Sequence, residues 1–146
     1  MLVVKDLLSK RNQETISVHP DTKAHEALRK MAVHDIGALL VMEDQELRGI
    51  FSERDYARKV ALTGRNERNN TVGDVMVKHL ISVTPENGVK ECMRMMTEHR
   101  VRHLPVFSDE KIVGIVTIGD VVKDVIEEQK STISHLETYI CGGYLS

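Results

Sequence analysis

One long stretch of this chain occurs twice. Residues 15–60 align with residues 80–125 without a gap. Identical pairs include Ile16/Ile81, Ser17/Ser82, Val18/Val83, Pro20/Pro85, Met31/Met96, His34/His99, Leu39/Leu104, Gly49/Gly114 and Asp55/Asp120. Both copies close on the same pattern, Gly49-Ile50-Phe51-Ser52-Glu53-Arg54-Asp55 and Gly114-Ile115-Val116-Thr117-Ile118-Gly119-Asp120. Upstream, Val4-Lys5-Asp6-Leu7-Leu8 echoes Val72-Gly73-Asp74-Val75-Met76. A unit this short cannot bury its apolar face alone, whereas two such units packed together can. The chain must therefore fold as two related halves sharing a core.

Each unit reads the same way. Leu2 to Leu8 predicts one or two helical turns. Thr15-Ile16-Ser17-Val18 is a short β-rich run ended by Pro20. Asp21-Thr22 offers a helix cap, and Ala24, Ala27, Leu28 and Met31 follow at helical spacing. The counterpart carries Val89, Cys92, Met93 and Met96 after the possible cap Asn87. Gly37 to Met42 and Leu47 to Phe51 predict two strands joined by the polar turn Glu43-Asp44-Gln45-Glu46. Ser52 starts a second helix. The order is β-α-β-β-α, twice, in a mixed α/β (α+β) fold. We assign residues 1–63 to the first unit, the polar stretch 64–71 to a linker, 72–126 to the second unit and 127–146 to a helical tail.

The tail departs from the repeat. Val122, Ile126, Gln129, Ile133, Leu136 and Ile140 recur in steps of four, three, four, three and four. This heptad-like seam predicts a helix from about Val121 to Tyr139, roughly 28 Å long, ended by Gly142-Gly143. Packing of that seam on a second chain predicts a homodimer.

Composition excludes several functions. The 146 residues are 41% hydrophobic, enough for a packed interior. A formal net charge of -2 with 29% charged residues supplies no electrostatic reason to expect nucleic acid or an anionic membrane as partner. Aromatic content of 3% leaves no platform for base stacking. Cys92 and Cys141 form no metal or redox motif and fit a reduced compartment. There is no signal-peptide pattern and no run of about 18 apolar residues, so we expect a soluble, cytoplasmic protein. His99 and His103 are four apart, but Pro105 and a strand start follow and no third ligand is in view, so no metal is expected. Neither a nucleophile–histidine arrangement nor a phosphate loop of the Walker type is present, and no enzymatic activity is expected.

The doubled hydroxyl–aspartate pair admits two readings. Ser52/Asp55 and Thr117/Asp120 could simply cap helices. They could also present oxygens and free N–H groups to a polar ligand at a helix start.

The doubled unit, with Ile-Ser-Val-x-Pro, His-x-Val-Arg-His-Leu-Pro-Val and Gly-Ile-Val-Thr-x-x-Asp, resembles a tandem pair of CBS (cystathionine β-synthase) domains, a Bateman module. The resemblance covers nearly the whole chain short of its last twenty or so residues. Similar pairs occur in IMP dehydrogenase, the gamma subunit of AMP-activated kinase and chloride channels; with no such partner domain, this chain is similar to the stand-alone CBS-pair proteins. The resemblance implies two repeats related by a pseudo-twofold axis, with two clefts between them for adenosine-containing ligands. It implies ribose acceptors at Asp55 and Asp120, with Ser52 and Thr117 beside them. Arg54 in one copy, and Gly119 after Ile118 in the other, would face phosphate. Arg102 and His103 would contact phosphate, with Arg100 near, while Gly37 and Ala38 hold the matching uncharged places. Ile16, Val18, Ile81, Val83, Leu39, Leu104 and Pro105 would line an adenine slot. The implied function is a regulatory sensor of AMP, ADP or ATP acting on an unidentified partner protein, with no cofactor required. Alternatives are a sensor of NAD(H) or S-adenosylmethionine on the same fold, or a ligand-free dimerisation module. The charge asymmetry between the copies implies two unequal clefts.

Overall fold

The computed structural model describes residues 2–11, 15–63 and 69–145. In chain order the elements are α1 (Val4–Lys10), β1 (Ser17–Val18), α2 (Ala24–His34), β2 (Ala38–Glu43), β3 (Glu46–Ser52) and α3 (Glu53–Tyr56), which runs into a π-helical turn at Ala57–Ala61. Then come α4 (Val72–Val75), α5 (Val89–His99), β4 (His103–Ser108), β5 (Lys111–Thr117) and α6 (Ile118–Leu145). The expected β-α-β-β-α order is present in the first half, and in the second half with its opening strand reduced to an isolated bridge. Most of the linker, residues 64–68, lies outside the described residues.

In the first repeat β1 pairs in parallel with β2, and β2 pairs antiparallel with β3. In the second, β4 pairs antiparallel with β5, and the counterpart of β1 shrinks to one parallel bridge between Val83 and Val106. Both hairpins turn on two residues with positive φ, Asp44 (52°) and Gln45 (66°), then Asp109 (51°) and Glu110 (65°). That geometry matches the right-handed twist of the flanking strands.

The strands are apolar on both faces because both are covered. Leu39, Val41 and Phe51 point to the helices of the first repeat, and Leu104, Val106 and Val116 to those of the second. Ala38, Leu40, Ile50 and Ile115 point the other way and form a third cluster where the two hairpins meet.

The leading helix does not pack on its own repeat. Val4 and Leu7 of α1 lie in the second repeat's core with Val89, Cys92 and Met96. Val72 and Val75 of α4 lie in the first repeat's core with Ala24, Ala27 and Met31. The exchange also decides how the long helices begin. The predicted side-chain caps Asp21-Thr22 and Asn87 are not used; the N-caps are Lys23 and Gly88, neither with a side-chain cap bond. Backbone from the exchanged segments serves instead: Ala24 N donates to Asn70 O at 2.9 Å, and Val89 N to Leu2 O at 3.2 Å. The Asn87 carboxamide oxygen accepts from Thr84 N at 2.6 Å, closing a turn before the helix.

After α4 the chain runs beside β3, with Ile50 N donating to Val77 O at 3.0 Å and Val77 N to Ile50 O at 2.9 Å. Gly49 permits this approach: a Cβ there would stand 2.6 Å from Val77 O and 2.8 Å from the Met76 sulfur.

The final helix is longer than the periodicity predicts. It starts at Ile118, spans 28 residues and carries through Gly142 and Gly143 to Leu145, about 42 Å in all. Glycine weakens a helix interior by about 1 kcal/mol but does not forbid it. Val121 and Asp124 anchor its first turns, and every residue from Ile126 to Cys141 is exposed. Among the described residues no helix is long and apolar enough to cross a membrane.

Candidate functional site

The hydroxyl–aspartate pairs are reciprocal caps in both copies. Asp55 N donates to Ser52 Oγ at 3.2 Å, while Ser52 N donates to Asp55 Oδ2 at 2.9 Å. Asp120 N donates to Thr117 Oγ1 at 3.2 Å, and Thr117 N to Asp120 Oδ2 at 2.9 Å. The cap and the polar-ligand readings are compatible. Each carboxylate keeps oxygen lone pairs beyond those bonds, and each pair stands at the edge of a cleft between the repeats.

The first cleft, about 350 Å³, joins Ser52, Arg54 and Asp55 of the first repeat to Ile81, Arg100, Arg102 and His103 of the second. Arg58, Lys59 and His79 line it too, so five Arg or Lys side chains face one carboxylate. Lys59 Nζ stands 3.5 Å from Asp55 Oδ1. Burial pushes the His103 imidazole below its ordinary value of 6.5; Asp55 opposes that shift and Arg102 adds to it.

The second cleft, about 430 Å³, joins Thr117, Ile118, Gly119 and Asp120 to Ile16, Gly37 and Ala38 of the first repeat. His103 lines both clefts. Here the cation is Arg11, which sequence reasoning missed. Its guanidinium pairs with Asp120 and donates to Ile115 O at 2.8 Å. Burial lowers its pKa. Asp35 adds a second carboxylate to this lining. The two clefts therefore differ in charge, the first strongly basic and the second not.

Five residues expected in an adenine slot line neither cleft. Val18 and Leu39 are buried in the first core, and Val83 and Leu104 in the second. Pro105 is buried across from Ile115 in the hairpin. For Leu39 and Leu104 strand alternation is the reason: each is one step from cleft-lining Ala38 or His103 and turns to its repeat's own helices. Of the missed residues, Arg58 and Lys59 follow Asp55 at helical spacing and were legible. Arg11 belongs to no repeated motif and gave no signal. His99 ends α5 and His103 starts β4, and among the described residues no three His, Cys, Asp or Glu side chains are grouped to hold a metal ion.

The two repeats agree with the family comparison. The CBS domain model matches residues 4–62 and 72–127. The chain belongs to the CBS-domain family. It is a CBS-domain pair, a regulatory module. It is 43% identical over 129 residues to the CBS domain-containing protein CBSX3, mitochondrial, of Arabidopsis thaliana, covering 85% of this chain and 63% of that protein's length. Its fold matches a protein with CBS domains from Burkholderia ambifaria MC40-6 with a TM-score of 0.83 and 39% identity, covering 87% of this chain and 96% of that one. The CBS domain pair of protein MJ0100, solved with 5′-methylthioadenosine and S-adenosyl-L-methionine, has a TM-score of 0.76 at 24% identity, covering 88% of this chain and 98% of that one. At that identity the likeness concerns the fold.

Proposed function

We propose that this CBS pair is a sensor of adenine nucleotides, with AMP, ADP or ATP bound in the first cleft. The observation that carries this is the surplus of cations there: Arg54, Arg58, Lys59, Arg100 and Arg102 around the single carboxylate Asp55. A ribose offers vicinal hydroxyls to Asp55, and a phosphate takes Arg side chains as bidentate donors. The cavity is of the size that small ligands fill. Because its walls come from both repeats, a bound nucleotide bridges them and favours one relative orientation, which a partner protein can read. That population shift requires different affinities for the two orientations.

The test compares AMP with adenosine by calorimetry, in the native chain and in Arg102→Ala. AMP binding should weaken about tenfold or more, and adenosine binding far less. Equal losses for both would sink the assignment.

A second ligand class is favoured in the second cleft by its different lining. With Arg11 already engaged by Asp120, that cleft has no free Arg or Lys for phosphate among the described residues. An adenosyl compound without phosphate suits it better. Across the exposed seam of α6 we place a second copy of the chain, which would carry a change in one module to the other.

A further inference from the structure

Among the described residues Asp124 is the one charged residue that is buried, 5% exposed, and its Oδ2 has no hydrogen-bond partner. An unsatisfied buried carboxylate oxygen is costly and calls for an explanation. Asp124 lies one helical turn beyond Asp120, about 5.4 Å along α6 and on the same face. Arg11 lines both sides of that step. It shares the second cleft with Asp120, and a cavity of about 400 Å³ with Asp120 and Asp124 together. Two other cations border this cavity, Lys10 and Lys123. Lys10 is occupied by Glu127 at 3.4 Å, with its side chain 55% exposed. Lys123 is exposed, and as the neighbour of Asp124 on a helix it faces about 100° away. The Arg11 side chain, 24% exposed, is the cation seated at depth.

We propose that Arg11 is a two-position latch on the second cleft, held by Asp120 in this structure and by Asp124 when another partner takes the Asp120 carboxylate. From its seat on Asp120 the guanidinium also donates to Ile115 O at 2.8 Å, which favours that seat at rest. Rotation about the side-chain torsions covers one helical turn without moving α1. A mostly buried guanidinium stripped of its carboxylate is costly. Transfer to Asp124 replaces one charge-assisted pair by another and satisfies the orphan oxygen. The first repeat has no such device: the alignment sets Lys59 against Asp124, and the match of the leading helices sets His79 against Arg11. As a gate for ligand the latch rests on the adenosyl reading of the second cleft, whereas the transfer of Arg11 does not.

The transfer is tested without ligand, on the full chain. Asp120→Asn removes the charge that holds Arg11 and keeps an oxygen to accept from Thr117 N. In the native chain Asp124→Asn should leave stability to urea unchanged or raise it, because that carboxylate has no partner to lose. In Asp120→Asn the same change should lower the folding equilibrium constant about tenfold or more, and adding Arg11→Met should abolish the loss. The crystal structure of Asp120→Asn should show the guanidinium about 3 Å from the Asp124 carboxylate. An equal loss in both backgrounds, or no loss in either, overturns the latch. For the gate, 5′-methylthioadenosine is the probe. Asp124→Asn should weaken its binding about tenfold in the native chain and not at all in Arg11→Met. Equal weakening with and without Arg11, or none, overturns the gate. Binding by no variant overturns the adenosyl reading of the second cleft, and the unfolding measurements still decide the transfer.

Discussion

The guanidinium of Arg11, just past α1, is seated on the carboxylate of Asp120 at the start of α6. In the second cleft the pair engages the carboxylate that would accept a ribose, so a ligand there competes with Arg11 for it. Arg11→Met keeps the aliphatic stem and removes both the pair and the bond to Ile115 O. Bonds to charged groups contribute about 1.5–3 kcal/mol, and with both side chains about a quarter exposed urea unfolding should report a loss toward the lower end of that range. The freed carboxylate should also bind 5′-methylthioadenosine more tightly. Unchanged stability and unchanged affinity would show that the pair matters to neither.

Gly49 separates a steric requirement from a merely repeated residue. A side chain there would meet Val77 O and the Met76 sulfur inside van der Waals contact. Gly49→Ala should cost about 1–3 kcal/mol, as overpacking does. Gly37→Ala is the control, because a Cβ at that place meets nothing within 4 Å. It should change stability by less than about 0.5 kcal/mol. Chemical denaturation of both variants checks the contrast.

His103 should make the protein weaker in mild acid. Burial lowers its pKa below 6.5, so the unfolded chain takes up the proton first as pH falls. Stability from this group is therefore complete above about pH 6.5 and declines as pH drops below it. Denaturation at pH 7 and pH 5 should show a fall in the native chain that is smaller in His103→Gln. An equal fall in both would remove His103 as the cause.

The exposed seam of α6 predicts association. Ile133, Leu136 and Ile140 are each more than half exposed, on a helix that leaves its own module after Ile126. A helix without packing is marginal in water. Sedimentation should find a dimer in the native chain and a monomer in Ile133→Asp combined with Leu136→Asp. A native monomer at micromolar concentration would refute the pairing.

Much of this architecture was legible because it is local. Apolar runs on either side of a polar turn located β2 and β3, helical spacing located α2, and the hydroxyl–aspartate spacing located both caps. What escaped was set by distance in the chain. The alignment paired Val4–Leu8 with Val72–Met76 but could not say that each serves the other half's core. It also could not reveal that Asn70 and Leu2 carbonyls, not Asp21 or Asn87 side chains, begin the long helices. At the site, Arg54, Arg100 and Arg102 do converge. Leu39 and Leu104, one strand step from cleft-facing Ala38 and His103, turn inward. Arg11 reaches Asp120 across most of the chain, beyond any pattern in the repeat.

The crossing of α1 and α4 between the two cores makes the halves interdependent. Expressed alone, residues 72–126 would expose the groove that Val4 and Leu7 fill. A single unit of this kind would need a second molecule to supply that helix, as in a domain-swapped dimer. In one chain that contact is tethered rather than intermolecular. Two fragments split within the linker should therefore find each other in solution and rebuild the fold by complementation.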